Sequence, residues 1–357
     1  MISKIDFNPN WISLPGNTIN DILDQMNMSH ETFARKLGVN DFFIEKLLNG
    51  QLQITSSIAE NLSRILGTST EFWINRQEQY HLFLNEIQSR NEKAWLKQLP
   101  IADMLSLGWI SQGENLVETC LKFFETKNIH TWQEKYSNLV SQTAFRTSQA
   151  FQTELGAVAA WLRQGEIIAD SIRCENWNEN QFLESLVTIR KLTKKKQPKD
   201  FLTELINICS ESGVAVSIVR TPRGCHASGA TKFLNHNKAL LQLSFRYLSD
   251  DQFWFSFFHE AGHLVLHNKK NLFIESIDDN NSLEESEANS FAGELLIPHD
   301  LHSELATLRG NKRKIISFAM KAGVSPGIVI GQLQHYGYID RSYLNGYKRR
   351  YDWGDIF

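Results

Sequence analysis

Residues 259–263 read His-Glu-Ala-Gly-His, and the segments on either side, FWFSFF before and LVLH after, are almost wholly apolar. A run of this kind makes a buried helix. Two imidazoles and a carboxylate inside one need partners, because a buried polar group without them is costly. The four-residue step sets both imidazoles on one face, a turn apart, where they can share a tetrahedral Zn2+. Glu260 lies beside that face, placed to take a proton from a water and deliver it to a leaving amine. With 11 His in the chain, an HExxH arises by chance in roughly one such chain in fifty. A pair of surface histidines is the plainer alternative, and the apolar flanks speak against it.

A catalytic zinc needs a third protein ligand and an open position. After a loop rich in Asp, Asn and Ser, a helix is expected over 283–296, stopped by Pro298. It offers Glu284, Glu285 and Glu287. Glu285, Asn289, Ala292 and Leu296 form one helical stripe, and Glu284, Ala288, Phe291 and Leu295 form a competing one, so periodicity leaves the ligand open between two neighbours. His267 extends the motif by one turn, as a partner for His263 or as a solvated helix end. Cys225 and His226 sit in the Gly-rich loop RGCHASG, where an ordinary loop cysteine is the simpler reading than a zinc-capping thiolate. His299, His302, His335 and Tyr336 are candidate oxyanion donors.

The rest of the chain frames this motif. Its 357 residues suit two or three domains. Hydrophobic residues at 42% and charged residues at 22% exclude bulk disorder and a coiled-coil rod. A net charge of −3 gives no overall signature of a nucleic-acid or membrane binder. No run reaches the roughly 18 apolar residues of a spanning helix, and MISKIDFNPN lacks a secretory apolar stretch. Cys120, Cys174, Cys209 and Cys225 are scattered with no CxxC pair, as reduced cytoplasmic thiols would be. A cytoplasmic protein without membrane contact is expected. The fold class expected is mainly α with an α+β C-terminal domain, divided at 1–82, 83–200 and 201–357. The middle part reads as a helical connector, with helices near 131–149 and 151–170. It ends in the basic run RKLTKKKQPKD, a solvated boundary or a phosphate contact. Strands are expected at 213–220 and 238–244, and a long helix from about Asp250 to His267.

Within HETFARKLGVNDFFIEKLLNG, Ala34 lets two helices approach, Gly38 supplies a left-handed turn, and Ile44 closes a small core with Val39 and Leu48. Ser29 and Asn40 are candidate caps, and a further helix is capped by Thr55 or Ser56. This pattern is a helix-turn-helix whose second helix, starting at Asn40, would enter a major groove through Asn40, Phe42, Phe43 and Lys46. The alternative is a bundle for dimerisation or protein contact. Residues 1–80 carry six basic and nine acidic groups, and Asp41 and Glu45 flank the reading surface.

LPGNTINDIL, the FARKLGV…LLNG core and ITSSIAENLSRILGTSTEFWINRQEQY resemble the antitoxin-type repressors of the HigA family, in the Cro/C1-like superfamily, over residues 10–82. FWFSFFHEAGHLVLH followed by EESEANSFAGELLIP resembles the ImmA/IrrE zinc metallopeptidases, as do SGATKF…ALLQLS and VSPGIVIGQLQHYGYI, over about residues 200–345. The resemblance implies a five-helix N-terminal bundle and a gluzincin-like domain with a small sheet. It further implies His259, His263 and Glu285 as Zn2+ ligands, Glu260 as general base, and Asn289 as the residue orienting a ligand. KALLQLS would be the edge strand along which a peptide lies. The function so implied is a DNA-binding regulator or antitoxin, a homodimer on its operator, whose zinc peptidase domain cuts a partner (a repressor or toxin) or its own chain to switch transcription. The alternative is a non-catalytic antitoxin and repressor with a structural or sensory zinc.

Overall fold

The computed structural model describes residues 13–142, 149–267, 272–275 and 283–356. Contacts divide the chain into two compact units, with the division between Ala94 and Trp95.

The N-terminal unit contains α1 (Pro15–Gln25), α2 (His30–Leu37), α3 (Asp41–Leu48), α4 (Ser56–Leu66) and most of α5 (Thr70–Leu96). Its boundaries follow from local chemistry. Ser29, Asn40 and Thr55 accept the backbone N–H groups of Thr32, Phe43 and Ile58, so each opens a helix by satisfying an orphan donor. Gly38, at φ 77°, ends α2 in a left-handed conformation that side chains with a Cβ rarely adopt. The apolar stripes then meet in one core of Ile19, Phe33, Ala34, Ile44, Leu62 and Trp73 among others. Residue 82 lies inside α5.

The C-terminal unit begins with α6 (Ile101–Ser106), α7 (Leu116–Phe123), α8 (Ile129–Gln142), α9 (Gln149–Ser171), α10 (Glu179–Leu192) and α11 (Pro198–Ser210). There follow β1 (Val214–Ile218), β2 (Gly229–Asn235), β3 (Lys238–Leu243), α12 (Asp250–Leu266), β4 (Phe273–Glu275) and α13 (Leu283–Leu296). The described chain closes with α14 (His302–Leu305), α15 (Lys312–Ala322), α16 (Pro326–His335) and α17 (Trp353–Ile356). Mostly helical, with a small mixed sheet in the C-terminal region, the chain has the expected fold class at this level.

The four strands run in the order β1-β3-β2-β4, with β3 parallel to β1 and β2 antiparallel to both its neighbours. This corrects one expectation. KALLQLS is β3, hydrogen-bonded on both sides, and not an edge strand. The reason is visible in its burial: Ala239 to Leu243 are all buried, and Gln242 spends its amide on the carbonyl of Trp161 at 2.7 Å. Strand β2 breaks the apolar alternation with Lys232, whose ammonium pairs with Glu166 of α9.

One core joins α10 and α11 to the sheet, α12, α13, α15 and α16, with Phe182, Phe201, Trp254, Phe257 and Phe258 fully buried. A second packs Trp95, Phe124, Trp132 and Trp161 against Val219, Ala230 and Ile274. Beside it, Glu166 accepts from Arg163 at 2.9 Å and from Lys232. Burial pushes the Glu166 carboxyl up, but these two cations outweigh it and hold it low. The basic run 190–199 closes α10, spans the α10–α11 turn at 193–197 and opens α11, within which residue 200 lies. Arg349 donates to the carbonyls of Thr193 (2.9 Å), Lys194 (3.1 Å) and Lys195 (2.7 Å), clasping that turn. Among the described residues, no single helix is long and apolar enough to cross a membrane.

Candidate metal centre and helix-turn-helix surface

Helix α12 is hydrophobic nearly all round: Phe253, Trp254, Phe257, Phe258, Ala261 and Leu264 pack in the core. Asp250 and Asp251 in its first turn suit the positive end of the helix dipole. His259, Glu260 and His263 are at most 2% exposed, so their polar atoms have to be met by other side chains.

They are. His259 Nδ1 donates to Asn289 Oδ1 of α13 at 3.0 Å. His267 Nε2 donates to Glu287 Oε2 at 3.1 Å, which leaves its Nδ1 to accept from His263 Nδ1 at 2.9 Å. These partners assign the tautomers: both α12 imidazoles commit their hydrogens outward through Nδ1 and turn Nε2 lone pairs toward each other. The two Nε2 atoms are 3.0 Å apart. Glu285 stands over them, with Oε2 3.1 Å from His259 Nε2 and Oε1 3.3 Å from His263 Nε2.

Three lone-pair donors thus converge, all within 4.8 Å of one another. Ligands of a tetrahedral zinc, at roughly 2.0–2.2 Å from the ion, stand about 3.3–3.5 Å apart. The observed separations are close to that, and with no hydrogen directed among them a cation is the partner that fits. Burial pushes the Glu285 carboxyl up, but a proton carried by either imidazole toward it outweighs burial and draws it down to about 2, so without an ion the carboxylate stays anionic. Burial also lowers His263, with Glu285 opposing, which favours its neutral form. Anionic carboxylate and neutral imidazole are the states a metal needs.

Glu260 is fully buried against β2. Thr231 Oγ1 donates to its Oε2 at 3.0 Å. Gly229 permits the approach, since a Cβ there would lie 2.5 Å from Glu260 Oε1. Neither Gly229 nor Thr231 was singled out from sequence; the signal was a small and a polar residue opening an otherwise apolar strand. Beside the three donors opens a cavity of about 350 Å³, whose walls include Phe255, His259, Glu285, Asn289, Gln332 and His335.

Periodicity left Glu284 and Glu285 open. In the structure Glu284 is exposed and Glu285 faces α12. Of the oxyanion candidates, His335 lines the cavity, whereas His302 is engaged with the Ile297 carbonyl at 2.7 Å. Cys225 is buried in the second core and burial pushes its thiol up to about 12, which makes it an inert packing residue.

In the N-terminal unit, Asn40 is occupied as the cap of α3, its Oδ1 accepting from Phe43 N at 2.9 Å. Phe43 leans on the bundle core, Phe42 is 62% exposed, and the Lys46 ammonium lies 4.3 Å from the Phe42 ring centroid. Asp41 and Glu45 share the exposed side of α3.

Comparison with known proteins divides in the same way. The IrrE N-terminal-like domain of the M78 peptidases matches residues 214–333. An HTH-type transcriptional regulator of Escherichia coli K12, YddM, is 34% identical over 68 residues, which is 19% of this chain and 72% of that protein. Two solved structures are also similar. One is an addiction module antidote protein of the HigA family from Coxiella burnetii, with 27% identity and TM-score 0.21, spanning 22% of this chain and 88% of that one. The other is an antidote-type protein of a plasmid maintenance system from Nostoc punctiforme, with 36% identity and TM-score 0.21, spanning 23% and 89%.

Proposed function

Because the chain belongs to the helix-turn-helix regulators and carries an IrrE-type M78 domain at its C-terminal side, we propose that it is a DNA-binding regulator whose second unit is a zinc-dependent, gluzincin-like endopeptidase. It cuts a partner protein, a repressor or a toxin, or its own chain, and so switches transcription. The observation that carries this reading is the convergence of His259 Nε2, His263 Nε2 and a Glu285 carboxylate at zinc-like spacing beside an open cavity.

His259, His263 and Glu285 would hold Zn2+, with Asn289 and His267 fixing the imidazoles. When bound, the ion supplies Lewis-acid activation of water and of the scissile carbonyl. The chain's own residues do the rest. Thr231 donates to Glu260 Oε2 and holds the carboxylate in place, and Glu260 would take the proton of the attacking water. As the new C–O bond forms and the C–N bond breaks, Glu260 returns that proton to the leaving amine.

The DNA contact would run through α3, with Lys46 on phosphate and Phe42 against a base edge. A homodimer would match two half-sites, and the scattered reduced thiols suit a cytoplasmic setting. The second reading, a non-catalytic antitoxin, is favoured by the acidic flanks of α3, which suit a protein partner better than phosphate.

The test is zinc per chain by elemental analysis. About one ion in wild type and near none in Glu285→Ala supports the ligand set, while no metal in wild type after zinc addition overturns it. Given a zinc-loaded chain, mapping of new peptide termini should show cleavage that Glu260→Gln slows by about 10²–10⁴ with zinc retained.

A further inference from the structure

The cavity beside the three donor atoms is not electrically neutral at its outer wall. Arg341 lines it, together with Tyr247, Asp251 and Gln252. The same four residues line a second, contiguous depression of about 310 Å³, to which Lys348 and Arg350 add their side chains. Asp251 is the one carboxylate lining that depression, and it is taken: Lys348 pairs with it at 2.6 Å. Arg350 turns to the Tyr247 carbonyl at 3.2 Å and so carries no compensating negative charge. Arg341 pairs with no carboxylate among the described residues. A guanidinium on the wall of a half-enclosed pocket, with no carboxylate or side-chain hydrogen bond among the described residues, is a ready partner for an anion.

We propose that Arg341 is a specificity residue: the cavity accepts a peptide with an Asp or Glu side chain close to the scissile bond, its carboxylate received by Arg341 with Arg350 adding long-range attraction. The inference rests on the peptidase reading of the same site. It goes beyond it by naming the chemistry of the substrate. Gln252 and Tyr247 border the position and can orient the carboxylate, while Phe255 and Ile328 on the inner wall suit an apolar neighbour. The subsite is open to solvent, so salt should weaken the preference.

The test uses the full chain loaded with zinc and two hydroxamate-terminated tripeptides identical except for one Glu or Gln side chain, with binding read by calorimetry and zinc content measured on the same samples. Wild type should bind the Glu probe about fivefold to tenfold more tightly. Arg341→Gln should bring the two probes to equal affinity without changing zinc content or the affinity for the Gln probe. Arg341→Glu should reverse the order when a Lys probe replaces the Glu probe. Equal binding of both probes by zinc-loaded wild type overturns the acidic subsite alone, as does a preference that survives Arg341→Gln. A chain that holds no zinc and binds neither probe overturns the peptidase reading and the subsite with it.

Discussion

Helices α3 and α12 both carry polar residues that sequence reasoning marks as functional, but the two units treat them differently. In α3 the marked residues sit at the start and outer side of a short helix, where a capping bond or a ring contact already employs them: Asn40 on Phe43 N, Lys46 on the Phe42 ring. In α12 they are mid-helix and buried, and each is met by another side chain: Asn289 of α13 on His259, His267 at the C-terminal end of α12 itself on His263, Thr231 of β2 on Glu260. A polar residue on a surface has many sufficient explanations. Buried inside an apolar helix, it has few, because its hydrogen bonds have to be supplied by design. Sequence therefore speaks more narrowly about α12 than about α3.

This contrast can be tested, beginning where the effect should be largest. Glu285→Ala removes a proposed ligand and should lower zinc affinity by well over about 100-fold, since the loss of a residue that merely orients a ligand costs about 10–100-fold; competition with a zinc-sensitive dye measures it. Asn289→Ala should fall in that lower range, and equal zinc affinity in both variants would sink the ligand assignment. Gly229→Ala forces a Cβ to within 2.5 Å of Glu260 Oε1. It should destabilise the C-terminal unit by about 1–3 kcal/mol, read by denaturant unfolding, with cleavage lost before zinc is. Asn40→Ala removes a cap and should cost about 1 kcal/mol, visible by circular dichroism as a lower melting temperature. If stability is unchanged while operator binding falls, Asn40 acts on DNA and the capping bond is incidental.

The smallest expected effect concerns the thiols. Burial pushes Cys120 and Cys225 up to about 12, and Cys209 higher still, so all three stay protonated as pH rises to 8 or 9. Cys174, half-buried, is raised less. Iodoacetamide at pH 8 should therefore mark Cys174 first in the folded chain and all four after unfolding, as counted by mass spectrometry. Early labelling of Cys225 would revive a zinc-facing thiolate.

How far the fold could be read in advance follows from the same physics. Helices α12 and α13 were legible because an apolar run and a Pro stop mark them. The choice of Glu285 over Glu284 was not, because two stripes one residue apart differ only in which face packs, and tertiary contact decides that. Strand β2 escaped notice because Lys232 interrupts its alternation to meet Glu166 across a buried network. The interior position of β3 depends on that missed strand, since a sheet read as two strands has no inside. Arg341 lies in a stretch without periodicity, and only the fold sets it on the cavity wall.

Arg349 has one more consequence, in time and not in space. Its guanidinium clasps the carbonyls of residues 193–195, and its backbone N–H donates at 3.0 Å to Asp250, the fully buried acid that opens α12. These contacts span 99 to 156 residues of chain. During synthesis, at about 5–20 residues per second, α12 leaves the ribosome several seconds before the segment that seals its first turn. The N-terminal unit, built from neighbouring helices, is complete long before that. A nascent chain would thus hold a finished helix-turn-helix while its C-terminal unit is still open, an order that would keep the proposed peptidase silent until the regulator attached to it exists.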